Sequence, residues 1–508
     1  MFSVDRGGNW FAYNSGIYGD WCVHLTFINS FLHRSWLWWL QDHPLAQGEP
    51  FRYPFLSHAL TALIAWVAGG FQVPQSAETV IRTAWYTSVL ALAFVPWLFW
   101  KGLEIIGLNW VQRALAIFIF TGNGGWGIFK LGLDPNKFPT NESSLNLKFS
   151  NFLIWQWLPQ RSFLFALFHL ALGIYFWRKK RHILSGLVLG LLIFSHVHSW
   201  IATGFLFWML VLQSLKKIKW QPILKFSAAF AFSSLFGLAF EFRNRTGFSQ
   251  PWNIFSPGWA QGHSSFFDFW WTNFGISIPL ALCGVYFSKG LVKKLAISGL
   301  VLGLVACVIQ FQPYDYDNLK IICYAYALLV PGIVTGVIVP LFNVTWKFSN
   351  KVATNTIGKY SGRFLAVTAI VLLTVSGYWD VTAFLNGAQK SHMFSPPDFA
   401  MAEAWVASIH DPDAVALTAP RPNHWLPALA GQPVVAGYAG WLWTWGIGWE
   451  KQTKLGRMLE DGSHDITAEL LHAHKIRYVA LDPNRLFYMT LGKSVMTSSN
   501  GVVIDIGE

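Results

Sequence analysis
The chain of 508 residues is 53% apolar and 12% charged, with a net charge of +12. A soluble domain carries roughly 25% charged residues, so this composition excludes a water-soluble enzyme over most of the length and predicts an α-helical polytopic membrane protein. Four cysteines, one of them (Cys22) outside the apolar stretches, leave no disulfide framework and no metal cluster.

Residues 1–54 contain no apolar window long enough to span. They are expected to form a loop carrying an amphipathic run, WCVHLTFINSFLH, from Trp21. Just before it, IYGD places Asp20 between Tyr18 and Trp21, with His24 four residues on. Asp20 has two compatible readings: a helix N-cap, for which Asp is favoured, and a general base.

A hydrocarbon core of about 30 Å needs around 20 mostly apolar residues per helical crossing. Eleven such windows follow, at 55–72, 84–100, 111–128, 162–177, 183–200, 201–215, 222–240, 270–287, 295–311, 320–342 and 364–380. Residues 55–380 are therefore expected to form a multi-helix transmembrane domain. GNGGWG (122–127) follows an apolar helix and lacks the Lys-Ser/Thr of a phosphate loop, so it suits a tight turn or close helix packing rather than a nucleotide. The run FLIWQW before Pro159 is short enough to be re-entrant.

In SHVHSW, His196 and His198 lie about 200° apart on a regular helix. They face one ligand together only if the helix unwinds, and the sequence lacks the usual zinc-ligand spacing, so no metal site is predicted. A donor-phosphate or structural hydrogen-bonding role for one of them fits better. Asp315 and Asp317 in PYDYDNLK either hold a divalent cation through carboxylate oxygens or cap the helix starting near Leu319; capping is the commoner use.

Beyond Asp380 the windows stop. AVALTA (414–419), PVVAGY (433–438), IRYVALD (476–482) and GVVIDIG (501–507) read as short buried strands, and TAELLHAH (467–474) reads as a helix. Residues 381–508 are expected to form a soluble α/β domain, Rossmann-like but without the dinucleotide glycines, so no cofactor is indicated. GWLWTWGIGW offers four tryptophans for docking on the core or the headgroup layer, or for stacking on acceptor sugars.

Charge sets the expected topology. Residues 381–508 hold nine Lys+Arg and twelve Asp+Glu, a net of −3, which leaves +15 on the first 380. The acid-free basic clusters at 178–182, 216–220, 288–294 and 345–363 mark cytoplasmic loops; they are no signal for nucleic acid. The loops 129–161, 241–269 and 312–319 and the C-terminal domain then lie outside the cell membrane. The side of Asp20 depends on how many crossings precede residue 161, which charge leaves open.

No Asp or Glu sits mid-window, which argues against an ion-coupled transporter. Instead Glu241, Asp268, Asp315, Asp317 and Asp380 gather on the outer side with Arg161, Arg243, Arg245 and Lys320; Arg34, Arg52 and Asp20 join them if the first loop is outside. A single interfacial arginine more often anchors a helix, but arginines suit phosphate oxygens. Their collective placement at a lipid boundary suits a lipid-linked phosphate. A sugar leaving such a phosphate needs no protonation of the leaving group, so one carboxylate can serve as base, whereas a hydrolytic glycosidase ordinarily needs two.

Taken in order, IYGDWCVHLTFINSF, RYPFLSHAL, LPQRSFLFAL, GLLIFSHVHSW, TNFGISIPL, FQPYDYDNLK and NHWLPALAGQPVVAGYAGWLWTWGIGW resemble the GT-C glycosyltransferases, in particular a bacterial branch of uncharacterised GT-C-like membrane proteins. The resemblance implies an integral membrane enzyme using a polyprenyl-phosphate-linked sugar, with Asp20 in the catalytic position. That family places a transmembrane helix before the first outer loop, and MFSVDRGGNWFAYNSGIYGD offers none, so either the start is truncated or the topology is altered. The expected donor-phosphate residues are Arg161, Arg243, Arg245, Lys320 and His198. The expected substrate or acceptor residues are Tyr53, Asp315, Asp317, Trp441 and Trp443, with a divalent cation as a possible cofactor. The partners would be the lipid-linked donor, membrane lipid and a glycan or protein acceptor. A non-catalytic scaffold for envelope glycans is the alternative, and a transporter the third.

Overall fold
A computed structural model describes residues 2–13, 15–217, 219–242, 253–259, 265–343, 352–408, 410–482, 488, 490–498 and 501–507. In chain order, strands β1 (Phe2–Val4) and β2 (Trp10–Ala12) precede helices α1 (Ser15–His33), α2 (Leu56–Ala68), α3 (Ala77–Ile105), α4 (Trp110–Thr121), α5 (Gly127–Leu131) and α6 (Arg161–Arg178). Then come α7 (His182–Gly190), α8 (Val197–Leu212), α9 (Trp220–Phe242), α10 (Phe266–Phe274), α11 (Ser277–Phe287), α12 (Gly290–Val308), α13 (Leu319–Ile333), α14 (Val339–Asn343) and α15 (Val352–Leu385). The remainder is β3 (Ser391–Phe394), α16 (Pro396–Ala407), β4 (Val415–Leu417), α17 (Trp425–Ala430), α18 (Ala439–Thr444), α19 (Trp449–Asp461), α20 (Ala468–Ala473), β5 (Ile476–Leu481), β6 (Lys493–Ser498) and β7 (Gly501–Asp505).

The chain divides into two compact units. The first comprises Met1–Leu90, Phe236–Trp252 and Gln389–Glu508; the second comprises Ala91–Leu235 and Asn253–Ala388.

Five helical stretches among the described residues are long and apolar enough to cross a membrane: Ala77–Ile105, Trp220–Glu241, Gly290–Val308, Asp315–Asn343 and Tyr360–Leu385. Five of the remaining windows fall on shorter apolar helices, of 10–17 residues, and the window at 162–177 falls on α6, which has an arginine at each end. Two predicted boundaries move. The window 270–287 is split by Gly275, whose φ of +51° ends α10. The boundary expected at 200/201 falls instead at Ser195 and His196, where a single 3-10 turn (Leu191–Phe194) gives way to extended backbone before α8.

In the second unit, glycines of the 122–127 segment admit close backbone approach, as expected. A Cβ on Gly125 would lie 2.0 Å from the Thr272 carbonyl oxygen. The FLIWQW run forms one wide helical turn, Leu153–Trp157, with Trp155 and Trp157 buried. One acid departs from its expected place. Asp380 lies within α15, five residues before its end, and is fully buried. Its carboxylate accepts from the Thr140 backbone N–H (3.1 Å), the Thr140 hydroxyl and the Trp155 indole N–H (3.0 Å). This pins the 134–157 segment to α15, because a buried carboxylate is stable only when its lone pairs are met.

In the first unit, β1, β2 and β3 form an antiparallel sheet in that order, so Trp10–Ala12 pairs with Ser391–Phe394. The second sheet runs β4-β5-β7-β6. Only β4 and β5 are parallel; β7 and β6 are antiparallel additions. The Rossmann-like expectation is thus corrected to a small mixed sheet. PVVAGY provides two isolated bridges, Val434 to Ala416 (parallel) and Ala436 to Ala46 (antiparallel), rather than a strand, and Lys493–Ser498, mostly exposed, has no buried apolar run for a sequence pattern to show. Leu417, Leu455, Leu471, Val479, Val502 and Ile504 make this region's core.

Helix α1 packs on α2 and α17. Asn29 Nδ2 donates to the Ala428 carbonyl (2.8 Å), and Gly431 ends α17 at φ +72°, where a Cβ would stand 2.6 Å from the Asn29 backbone. Only glycine satisfies both the left-handed backbone and that approach.

Candidate functional site
The expected residues of the first unit gather along α1. Asp20 lies inside this helix, which begins at Ser15, so the N-cap reading is overturned. Residues 21–30 are all buried, making α1 a core helix rather than an amphipathic one, while Asp20 itself is half-buried. Beside it, Gly19 leaves room for Trp441: a Cβ there would be 3.7 Å from the indole nitrogen. Trp441 is buried and stacks on Trp445, with centroids 6.4 Å apart. Trp445 in turn touches His43 (4.7 Å) and Tyr53 (5.8 Å). Tyr53 and Trp441 therefore belong to one aromatic cluster, which meets α1 next to Asp20 at Gly19, and Trp443, on the same short helix α18, is half-buried.

Two histidines extend this cluster. His24, one helical turn beyond Asp20 and so on the same face of α1, meets His58 through Nδ1 and Nε2 at 2.8 Å; both rings are buried. Burial raises the Tyr18 phenol, with Cys22 and Tyr438 adding to it, so Tyr18 stays a neutral hydroxyl. Burial, reinforced by the charges of Arg52 and Arg34, drives His43 down to about 3. The basic residues of the first loop are already matched: Arg34 to Asp413 at 2.9 Å and Arg52 to Glu49 at 3.3 Å. They serve as structural ion pairs.

In the second unit, the expected donor-phosphate residues sit at the starts of helices. Lys320, 9% exposed, pairs with Asp317 at 2.9 Å. Asp315 accepts from Gln310 Nε2 at 2.6 Å. Neither aspartate caps α13, whose preceding residue Asn318 makes no side-chain cap bond either. A divalent cation fits this pair poorly, because one carboxylate is bound to an ammonium and the other to an amide. Among the described residues no three His, Cys, Asp or Glu side chains cluster to hold a metal.

The chain does unwind at His196, and the consequence is local. His196 and His198 come together with ring centroids 5.3 Å apart. The Lys320 ammonium is close enough to act electrostatically on both. Phe163, two residues after Arg161, packs on His196 (5.1 Å) and on Tyr324 (5.3 Å). Arg161 is fully buried, its guanidinium 4.8 Å over the Phe165 ring. Phe163 and Tyr324 also line a cavity of about 610 Å³, whose other walls include Phe99, Phe120, Trp157, Phe207 and Leu328. Arg243 and Arg245 lie outside the described residues.

Sequence reasoning missed Ser199, Tyr324 and the cavity. Ser199 stands in the SHVHSW motif itself, but Tyr324 is 125 residues away, and no local pattern joins them.

No protein-family model matches the chain, and no curated protein does. Solved structures do. An archaeal oligosaccharyltransferase, AglB from Archaeoglobus fulgidus in complex with an inhibitory peptide and a dolichol-phosphate, is 12% identical, with 96% of this chain and 67% of that chain covered and a TM-score of 0.49. ArnT from Cupriavidus metallidurans in the apo state is 11% identical, with 98% and 94% covered and a TM-score of 0.44. The Archaeoglobus fulgidus oligosaccharyltransferase in complex with Zn and sulfate is 11% identical, with 96% and 66% covered and a TM-score of 0.43. AglB and ArnT are GT-C superfamily membrane glycosyltransferases. The chain spans about two thirds of the oligosaccharyltransferase's length. At these identities and TM-scores no residue's role carries over.

Proposed function
We propose that this chain is a GT-C-like, multi-pass membrane glycosyltransferase, with about eleven crossings and its C-terminal region outside the cytoplasm. It moves a sugar from a polyprenyl-phosphate donor to a glycan or protein acceptor. The observation that carries this is the apolar cavity of the second unit, bordered by residues that also touch a buried cluster of Lys320, His196 and His198. An apolar chain with a phosphate at its end matches both parts, since apolar walls gain from excluding water and a lipid phosphate needs donors and positive charge.

Asp20 is the proposed base. It takes the proton of the acceptor hydroxyl as that oxygen attacks the anomeric carbon, while the donor phosphate departs as an anion and needs no proton. Tyr53, Trp441 and Trp443 offer aromatic faces to an acceptor, which sugars stack on through their C–H surfaces. Arg161 and Lys320 hold the phosphate by charge. The test is turnover of a lipid-linked sugar by purified protein beside Asp20→Asn. Loss of turnover with donor binding kept is expected; equal turnover by the two proteins removes Asp20 from the mechanism.

A further inference from the structure
We infer that Tyr324, Ser199 and His196 form a hydrogen-bond relay that presents the His196 Nε2–H to a phosphate oxygen of an apolar-chain phosphate, an inference that rests on the lipid-phosphate donor reading above and names how the anion is held. Neither Ser199 nor Tyr324 carries a role otherwise, and His196 was passed over in the sequence in favour of His198.

The protons can be followed atom by atom. The Tyr324 hydroxyl donates to Ser199 Oγ over 2.6 Å. Ser199 Oγ also lies 2.7 Å from His196 Nδ1. A serine hydroxyl has one proton and two lone pairs; with Tyr324 donating to one lone pair, the proposed relay assigns the proton to the imidazole Nδ1. A neutral imidazole that accepts at Nδ1 carries its hydrogen at Nε2. His196 is thus held as the Nε2–H tautomer by a residue on another helix. Its Nε2 is buried and has no hydrogen-bond partner among the described residues, in a side chain 5% exposed. The same holds for Nε2 of His198, 6% exposed.

The surroundings select the ligand. His196 is the extended residue that opens α8, a helix of 16 residues, so the cluster lies at the positive end of that helix dipole. The Lys320 ammonium, paired with Asp317 at 2.9 Å, also acts electrostatically on both rings. A hydrogen-bearing Nε2 offers no lone pair to a metal ion, and a nearby ammonium repels one. The set therefore takes an oxyanion. Tyr324 and Phe163 belong both to this cluster and to the wall of the apolar cavity, which points to a phosphate on a hydrocarbon chain rather than a free anion.

The experiment measures binding of a polyprenyl phosphate and of the polyprenol of equal length to the full chain in detergent. Wild type is expected to prefer the phosphate. Tyr324→Phe and Ser199→Ala, which spare His196, should each cut that preference about tenfold, the scale of a hydrogen bond to a charged group. His196→Gln keeps an amide N–H near the Nε2 position and should retain much of the preference; in that background Ser199→Ala should add nothing. If wild type prefers the phosphate but the Tyr324 and Ser199 variants keep the full preference, the relay is overturned and the donor reading survives. If wild type shows no preference, both fall. Competition by inorganic phosphate at concentrations matching the polyprenyl phosphate assigns the cluster to a free anion and overturns the lipid part. Because a variant can misfold, ¹⁵N shifts of labelled histidine in the wild-type protein give a second readout: an unprotonated Nδ1 at His196 is required, and a protonated one refutes the relay.

Discussion
The two units hold their charges in opposite ways. In the first, four described arginines outside the helices are spent on carboxylates: Arg34 on Asp413, Arg52 on Glu49, Arg421 on Glu460 and Asp482, and Arg477 on Asp505. What that unit offers is a half-buried acid, Asp20, one residue from Gly19, where an aromatic cluster meets α1. In the second, Nε2 of His196 and of His198 are buried with no hydrogen-bond partner among the described residues, and Phe163, packed on His196, lines an apolar cavity. The proposed base, Asp20, belongs to the first unit, and the proposed anion cluster belongs to the second.

Four experiments break or sharpen this contrast. The largest effect belongs to Asp20→Asn, expected to lower turnover by roughly 10²- to 10⁴-fold, the range of general-base catalysis, with donor affinity unchanged. A parallel fall in donor affinity would merge the two roles that the contrast separates. Next, Asp380→Ala strands the Thr140 and Trp155 donors in the second unit and should cost about 3 kcal/mol, the scale of removing a charged partner from buried donors. Unfolding in mild detergent should show it, with Asp380→Asn milder because an amide oxygen still accepts.

Lys320→Met comes third, weakening polyprenyl-phosphate binding by about tenfold through lost charge. Because Asp317 then lacks its partner, the double variant with Asp317→Asn separates lost attraction from an uncompensated acid. The fourth is a pH dependence, graded rather than all-or-none, to which the first unit contributes. His43 is neutral in the fold, pushed to about 3, whereas an unfolded histidine titrates near 6.5. Below that pH the unfolded chain binds the extra proton, so the stability that burial confers is complete above about 6.5 and declines as pH falls toward 3, by at most about 1.4 kcal/mol per pH unit. His33 and His424, both lowered to about 4 by burial, act in the same sense. His43→Asn, which keeps an acceptor for the Leu45 N–H, should therefore reduce the acid sensitivity of unfolding without abolishing it; an unchanged pH profile counts against a buried neutral His43.

Periodicity and composition determined much by themselves. Apolar runs must become helices in lipid, because each helix satisfies its own backbone bonds, and the windows accordingly land on helices from Leu56 to Leu385. The glycines of 122–127 and the acid at Asp20 also stood out, since their residue types are costly without a purpose. The tertiary structure decided what depends on distant partners. Asp20 capped nothing because α1 begins earlier, at Ser15, and the choice of start rests on a buried face packed against α17 and α2. The break at His196, the mixed order of the β4-β5-β7-β6 sheet, the carboxylate of Asp380 on Thr140, and the hydroxyl of Tyr324 on Ser199 each join residues far apart in the chain. Hydrogen bonds and close packing act over a few ångströms of space regardless of separation along the chain, so local patterns can propose such residues but not pair them.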